Sequence, residues 1–436
     1  MKIGLGKSFA WTLLGKAALL LGGVITAALV NRALAPAGRG FLAEIQTWAA
    51  AFAVIFGFSL DTAIYHFANR QRYVLSDSER LTTVLATSLG AALIAVLFFA
   101  ALVAAFPGVL SPSARGALPL LVALLLSTLF FTNLQTLAQA TGNVRTVALT
   151  SSIQAATALG LIIPAFFVHR LDLDYVLMAT VLAQMFGIAA VVLAFRRSGV
   201  VPVGRLDRKL VGEFLLSGLK QHVATISTFA YTKVNQLLVF NYAGEAQAGM
   251  FAAALTLAFW IFGGFSALQL ALYPRTIHFA DDLEVTVRTL RIAFYSGGLL
   301  CLGAMLFAKQ ILMAYGGAAF VDAAPILRLM ILSAWFLSMS SLVAPYYVKH
   351  GAFRLAAATA ILLGLISVAI NLWLVPSYQA IGAAAATAMT TLLGFGLVFS
   401  MLRILSGRWL WRIFRPDFRA EMAGFRQRRI PYSGPQ

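Results

Sequence analysis

The sequence is short of charge, and shorter still of acid. Only 11% of its 436 residues are Asp, Glu, Lys or Arg, and 15 acidic residues stand against 33 basic ones. Soluble domains are about 25% charged and roughly 45–50% apolar, whereas this chain is 61% hydrophobic with a mean hydropathy of +0.87. A water-soluble globule is excluded. Cysteine is nearly absent. Cys301 alone cannot form an intramolecular disulfide or most thiolate metal sites, and its apolar neighbours make it a packed small hydrophobe. The five histidines, at 66, 169, 222, 278 and 350, show no metal-ligand spacing. Gly6-Lys7-Ser8 imitates the end of a phosphate-binding loop, but the earlier glycine of that motif would fall at Met1. No paired carboxylates share a span in a catalytic arrangement. An enzyme is not expected, and no cofactor is implied.

Long uninterrupted apolar runs are abundant, which argues for helices rather than the alternating strands of an outer-membrane barrel. Twelve stretches are long enough to cross a bilayer, near 9–34, 41–66, 81–106, 117–140, 145–168, 175–195, 217–242, 247–273, 289–314, 324–348, 353–375 and 380–404. The longest internal break, Arg196 to Glu213, is basic and leaves six spans on either side. The expected organisation is an N-terminal six-helix bundle over 1–196, a basic linker over 197–213, a C-terminal six-helix bundle over 214–405 and a basic, aromatic tail over 406–436. The amino terminus resembles a signal peptide, but Lys16 interrupts its apolar run and the run is too long, so an uncleaved first helix is expected.

A net charge of +18 would suggest nucleic acid in a soluble protein. Here the charges flank spans, so they read as topology signals and as contacts to anionic lipid headgroups. With the amino terminus inside, 24 of the 33 Lys and Arg fall in inner segments, six (Arg39 among them) in outer segments and three within spans. That bias obeys the positive-inside rule and puts both termini in the cytoplasm. The tail, with Trp409, Trp411 and Phe414 among arginines, reads as an interfacial anchor.

One span departs from the rest. Ser217 to Tyr242 carries Lys220, Gln221, His222, Thr225, Tyr231, Thr232, Lys233, Asn235 and Gln236, and the next span, Gly249 to Leu272, is nearly all apolar. A helix this polar must line protein or a water-filled cavity, which points to a carrier or channel. A lysine at mid-bilayer is costly, by ~2.5–3.5 kcal/mol on insertion scales. Lys233 and Lys16 are therefore candidate ligands, while Lys220 lies near a span end, where it can snorkel to the interface. Thr128, Thr132, Gln135 and Gln139 recur at i, i+4, i+7 and i+11 on one helix face. Their hydroxyls and amides suit sugar hydroxyls and serve equally well as interhelical hydrogen bonds. Asp61 is the candidate for ion coupling, or a partner for Lys16 or Arg70. The halves also echo one another. Gly40-Phe41-Leu42-Ala43 matches Gly249-Met250-Phe251-Ala252 at an offset of 209, and Gly57-Phe58-Ser59-Leu60 matches Gly264-Phe265-Ser266-Ala267 at 207. A repeat of this kind places the site between two bundles of like orientation.

Several stretches are similar to those of a known family. Asn31-Arg32-Ala33-Leu34-Ala35-Pro36-Ala37-Gly38-Arg39-Gly40 resembles the signature after the first helix of polysaccharide-exporting flippases. Asn235 to Ala254, ending at Pro274, resembles their seventh and eighth helices, and Ala323 to Arg328 a further recurrent stretch. Asn371-Leu372-Trp373-Leu374-Val375-Pro376 with Ile381 to Thr387 resembles the eleventh and twelfth helices, the most specific match. Ala35 replaces a usual glycine, and Asn235 stands where many relatives carry an acid. The chain thus resembles the O-antigen and exopolysaccharide repeat-unit flippases, of the superfamily that includes the multidrug and toxin extrusion carriers and the lipid II flippase. The resemblance implies an all-α integral membrane protein, two six-helix bundles around a central cavity. It also implies a bacterial inner-membrane flippase that moves a polyprenyl-pyrophosphate-linked oligosaccharide by alternating access. The substrate contacts would be Lys16, Lys220, Lys233, Tyr231, Asn235, Gln135 and Gln139. Protons, sodium or the membrane potential stay open as energy source, and a polymerase or glycosyltransferase as protein partner. The rivals are a multidrug exporter of the same superfamily and a non-transporting scaffold; the first calls for acidic or aromatic cavities, and the second leaves the polar seventh span unexplained.

Overall fold

A computed structural model describes residues 5–69, 76–202, 208–278 and 282–407, with side-chain surroundings given from Leu20 onward except for 266–278 and scattered positions. α1 (Leu5–Phe56) is two helices joined at Ala35, whose φ of 54° breaks the ladder. Pro36 follows at a first-turn position, where a missing N–H is harmless. After a turn at 57–59, α2 (Leu60–Asn69) continues the second limb. α3 (Asp77–Ala105) opens on a reciprocal cap between Ser76 and Glu79. α4 (Pro112–Gly116), α5 (Leu118–Ala140), α6 (Val144–Phe167) and α7 (Leu173–Arg197) complete the first half. Asn143 and Asp172 cap the starts of α6 and α7.

α8 (Arg208–Phe229) passes through one π-helical turn, Ala230–Val234, into α9 (Asn235–His278). α9 breaks at Gly244, where φ is 81°, into limbs 235–243 and 245–278. α10 (Asp282–Leu306), α11 (Ala308–Gly316), α12 (Ala324–Lys349) and α13 (Phe353–Ser406) follow, the last broken at Gln379 with φ 52°. Counting each limb, twelve long helices emerge among the described residues, six in each half. The expected span 289–314 is corrected. It stops at Leu306, and α11 is separate and amphipathic, with Ala308, Leu312 and Tyr315 buried and Lys309 and Gln310 exposed. Between the two limbs of α9 the chain breaks at Gly244 alone. Among the described residues eight helical segments are long and apolar enough to cross a membrane, the two-limbed Leu20–Phe56 and Arg354–Ser406 counting once each. Leu89, Leu93 and Leu97 of α3 form an exposed apolar face at a spacing of four, as a lipid-facing helix requires. Each half has its own core, around Ile45, Phe99, Leu121 and Leu125 in the first and Phe251, Leu312, Phe320 and Leu327 in the second.

The offset of 209 is structural. Ala35 and Gly244, the two breaks, are 209 apart. A Cβ on Gly40 would strike the Glu245 carbonyl, and a Cβ on Gly249, its equivalent, would strike the carbonyl of Pro36, the equivalent of Glu245. The contact is therefore self-complementary about a local two-fold, like an isologous subunit interface. It is so close that only glycine fits. Thr47 and Thr256 likewise each donate to the carbonyl four residues back, Ala43 and Ala252, at 2.7 Å. The halves meet again further along. A Cβ on Gly218 of α8 would collide with the Phe58 carbonyl, Ser59 Oγ donates to Thr225 Oγ1 at 2.8 Å, and the Phe67 and Phe214 rings lie 5.3 Å apart. Phe58 and Ser59 adopt left-handed φ values of 48° and 49° to make that turn.

Candidate functional site

Each half contributes a cation near the place where the halves meet, Arg39 from the first and Lys233 from the second. Arg39 lies in the first turn of the second α1 limb and is only 8% exposed. Its Nη2 donates across the seam to Thr256 Oγ1 of α9 at 3.3 Å, and its Nε is buried without a partner. Lys233 belongs to the π turn, and its Nζ stands 5.1 Å from the centre of the Phe259 ring, within cation–π range. Among the described residues no carboxylate lies within ion-pair reach of either. Glu44, on the same limb as Arg39, is engaged elsewhere, accepting from Ser111 N at 3.1 Å and Ser111 Oγ at 2.6 Å.

The surroundings are polar and incompletely bonded. Both amide atoms of Asn31, the Tyr315 hydroxyl and Thr26 Oγ1 are buried with no hydrogen-bond partner. Asn31 and Thr256 face the Tyr315 hydroxyl without closing a bond of ordinary geometry. The Tyr315 ring stands edge-on to Trp260 at 5.3 Å, and Arg32 Nη2 donates to the Ala314 carbonyl at 2.7 Å, so α11 is tied to the first half. Buried polar atoms are normally paired. Two unneutralised cations with unpaired donors around them, in a water-poor setting, form a site that an anion would complete through charge-assisted hydrogen bonds.

The residues singled out from sequence fall in different places. Tyr231 and Lys233 share the π turn, where one extra residue per turn ends the straight polar stripes that a plain helix would carry. Tyr231 lines a small cavity of about 30 Å³ with Thr387 and Thr391. Just past the turn Asn235 is buried, its Nδ2 donating to Thr387 Oγ1 at 2.8 Å and its Oδ1 accepting from Gln236 N. Lys220 is exposed on α8, and Asp61 is exposed in the first turn of α2. Gln135 donates to Ser151 Oγ at 2.9 Å and Thr150 Oγ1 at 3.3 Å, joining α5 to α6, while Gln139 is exposed near the end of α5. Lys16 lies in α1, outside the residues whose side chains are described, as does the tail from 408. Arg39 was not among the expected contacts, because its nearness to a chain reversal reads as an outer-loop charge. Its signal was the pair of flanking glycines, Gly38 and Gly40, one of which brings the opposite backbone into contact.

Comparison with known proteins agrees with this architecture. No curated protein matches the chain in sequence. Among solved structures, the lipid II flippase MurJ in an inward closed conformation superposes with a TM-score of 0.69 at 14% identity, over 90% of this chain and 87% of that one. An inward-facing multidrug resistance transporter of the MATE family, in the MOP superfamily, gives 0.67 at 14% identity over 88% and 95%. A MOP superfamily transporter from Pyrococcus furiosus, described by the reverse polarity of its binding pocket, gives 0.60 at 14% over 92% and 97%. These likenesses establish the fold, that of the multidrug and toxin extrusion carriers and their superfamily. The family described as "Polysaccharide biosynthesis protein" matches residues 5–279, well over half of the sequence, and the chain belongs to that family.

Proposed function

We propose that this protein is a flippase that carries a polyprenyl-pyrophosphate-linked oligosaccharide repeat unit from the inner to the outer leaflet of a bacterial inner membrane. Its termini lie in the cytoplasm and its product feeds O-antigen or exopolysaccharide assembly. The observation that carries the reading is the pair Arg39 and Lys233, one cation from each half near the seam, with no carboxylate in reach among the described residues. A diphosphate is the anion that such a pair fits, and the polysaccharide family supplies the glycan. A multidrug exporter of the same fold is the second reading, and it fits less well, because a cationic drug would meet like charge here.

The two halves rock about the seam, so that the Gly40–Gly249 contact and the Phe58–Gly218 contact open in turn while the prenyl tail stays in lipid. Lys233 and Arg39 hold the diphosphate. They drive transport only by binding it differently in the two states, since equal binding shifts no equilibrium. Lys16 and Lys220 are further cationic contacts along the path, with Tyr231 and Gln139 as polar ones, while Asn235 and Gln135 join the lining helices through Thr387 and Ser151. Asp61 is the candidate coupling group, and the basic tail contacts anionic lipids or the synthesis enzymes.

The test is translocation of a polyprenyl-diphosphate-linked oligosaccharide by purified protein in liposomes. Losing one charged hydrogen bond removes ~1.5–3 kcal/mol, so Arg39→Ala and Lys233→Ala should each slow transport about tenfold or more, with Lys233→Arg partly restoring it. Wild-type rates in both alanine variants and in their combination would sink the cationic site. Efflux of cationic dyes without glycan transport would favour the exporter.

A further inference from the structure

The N-terminal half contains a cavity that the seam site leaves unused. It has a volume of about 220 Å³ and lies between both limbs of α1, α6 and α7. Among the described residues Arg39 is the one charged residue on its wall, and the other polar residues are Thr26, Gln46, Gln154 and Thr180. Thr180 already donates to the Val176 carbonyl at 2.8 Å and keeps its acceptor capacity. Thr26 Oγ1 and Arg39 Nε are buried without partners. Neither Gln46 nor Gln154 has a hydrogen-bond partner among the described residues. The room comes from small residues. A Cβ on Gly22 would already stand 3.1 Å from the Ala155 Cβ, and Ala158 lines the same wall.

The chemistry of this wall selects its occupant. A cation would face Arg39, and a bare phosphate would leave two neutral amides idle. Amides and hydroxyls together want a partner that both donates and accepts, as sugar hydroxyls do. The volume is more than ten times the ~10–15 Å³ that one water needs, enough for a sugar ring. Arg39 joins the two sites, because its Nη2 reaches across the seam to Thr256 while its unpaired Nε belongs to a residue of the cavity wall.

We infer that this cavity is the subsite for the first sugar of the lipid-linked glycan, the one bonded directly to the diphosphate. The inference rests on the flippase reading above. Arg39 then stands at the phosphate–sugar junction, and the N-terminal half reads the identity of the sugar while the seam holds the charge.

Binding by the purified full-length protein of two probes tests this: polyprenyl diphosphate without sugar, and the same lipid bearing a single N-acetylhexosamine or neutral hexose. Wild-type protein should prefer the better sugar-bearing probe at least tenfold. Gln154→Leu, which keeps the side-chain volume, and Ala158→Phe, which fills the cavity, should bring that ratio close to one without weakening binding of the bare lipid. Lys233→Ala should weaken both probes and keep the ratio. A wild-type ratio of one for both sugars, or a ratio undiminished in Gln154→Leu and Ala158→Phe, overturns the subsite and leaves the flippase reading standing. Failure of wild-type protein to bind either probe overturns both.

Discussion

The two halves of this protein share one design and differ at the two cations near their seam. At an offset of 209, the breaks at Ala35 and Gly244, the glycines at 40 and 249 and the threonines at 47 and 256 play matching roles. The cations do not follow that rule. Lys233 sits in a π turn of the second half, whereas its equivalent, Val24, sits in unbroken helix; Arg39 in the first half matches Ala248 in the second. The second limbs diverge as well. The first half breaks at Gly57–Ser59, while α9 runs on to His278, and that is where the offset slips to 207. Symmetry therefore builds the contact between the halves, and departures from symmetry build the proposed site. A π turn is frequent at functional positions, and here it presents Lys233.

The largest expected effect tests that asymmetry directly. Exchanging the matched pair, Val24→Lys with Lys233→Val, keeps composition and charge but moves the cation to the other half. We expect glycan transport to fall more than a hundredfold, since both the ~1.5–3 kcal/mol of a charged contact and its alignment are lost. Transport near wild type in liposomes would mean that the halves are interchangeable at the site.

Next come the shared glycines. Gly40→Leu and Gly249→Leu each drive a side chain into the opposite backbone, where nothing flexible can give way. Overpacking costs ~1–3 kcal/mol, and the two variants should lower the thermal midpoint in detergent by similar amounts. A large difference between them would break the two-fold description of the seam.

A smaller loss is expected at the contact present in one pairing alone. Ser59→Ala removes the 2.8 Å bond to Thr225 and the 3.3 Å approach to His222 Nδ1. One such bond contributes ~0.5–1.5 kcal/mol, so the variant should fold with a slightly lower midpoint and cross-link less readily between introduced cysteines on α2 and α8. Unchanged cross-linking would show that this contact does not hold the halves together.

The smallest effects belong to glycines outside the seam. A Cβ on Gly90 of α3 or Gly160 of α6 meets nothing within 4 Å. Alanine there should leave transport unchanged and raise stability by at most ~1 kcal/mol, the helix-propensity difference. A drop comparable to Gly40→Leu would show that glycine itself, rather than its place in the seam, is what matters.

The sequence alone determined the membrane class and an all-helical architecture of roughly twelve spans, because long apolar runs and their polar breaks are local properties. It also marked Lys233, since a lysine within an apolar span is conspicuous wherever the span lies, and it registered the repeat as two short echoes. Tertiary structure decided the rest. Whether Gln135 and Asn235 face a cavity or neighbouring helices depends on which elements lie against them, and their partners, Ser151 and Thr387, come from α6 and α13. The π turn is held by the surrounding helices and has no mark in composition. Arg39 is the clearest case. Four residues past a chain reversal it reads as a loop charge, yet the backbone contact at Gly40 and Gly249 carries it into the interior beside Thr256. A one-dimensional pattern records how polar a residue is; only the close approach of two distant backbones determines that this arginine is buried and partly unpaired.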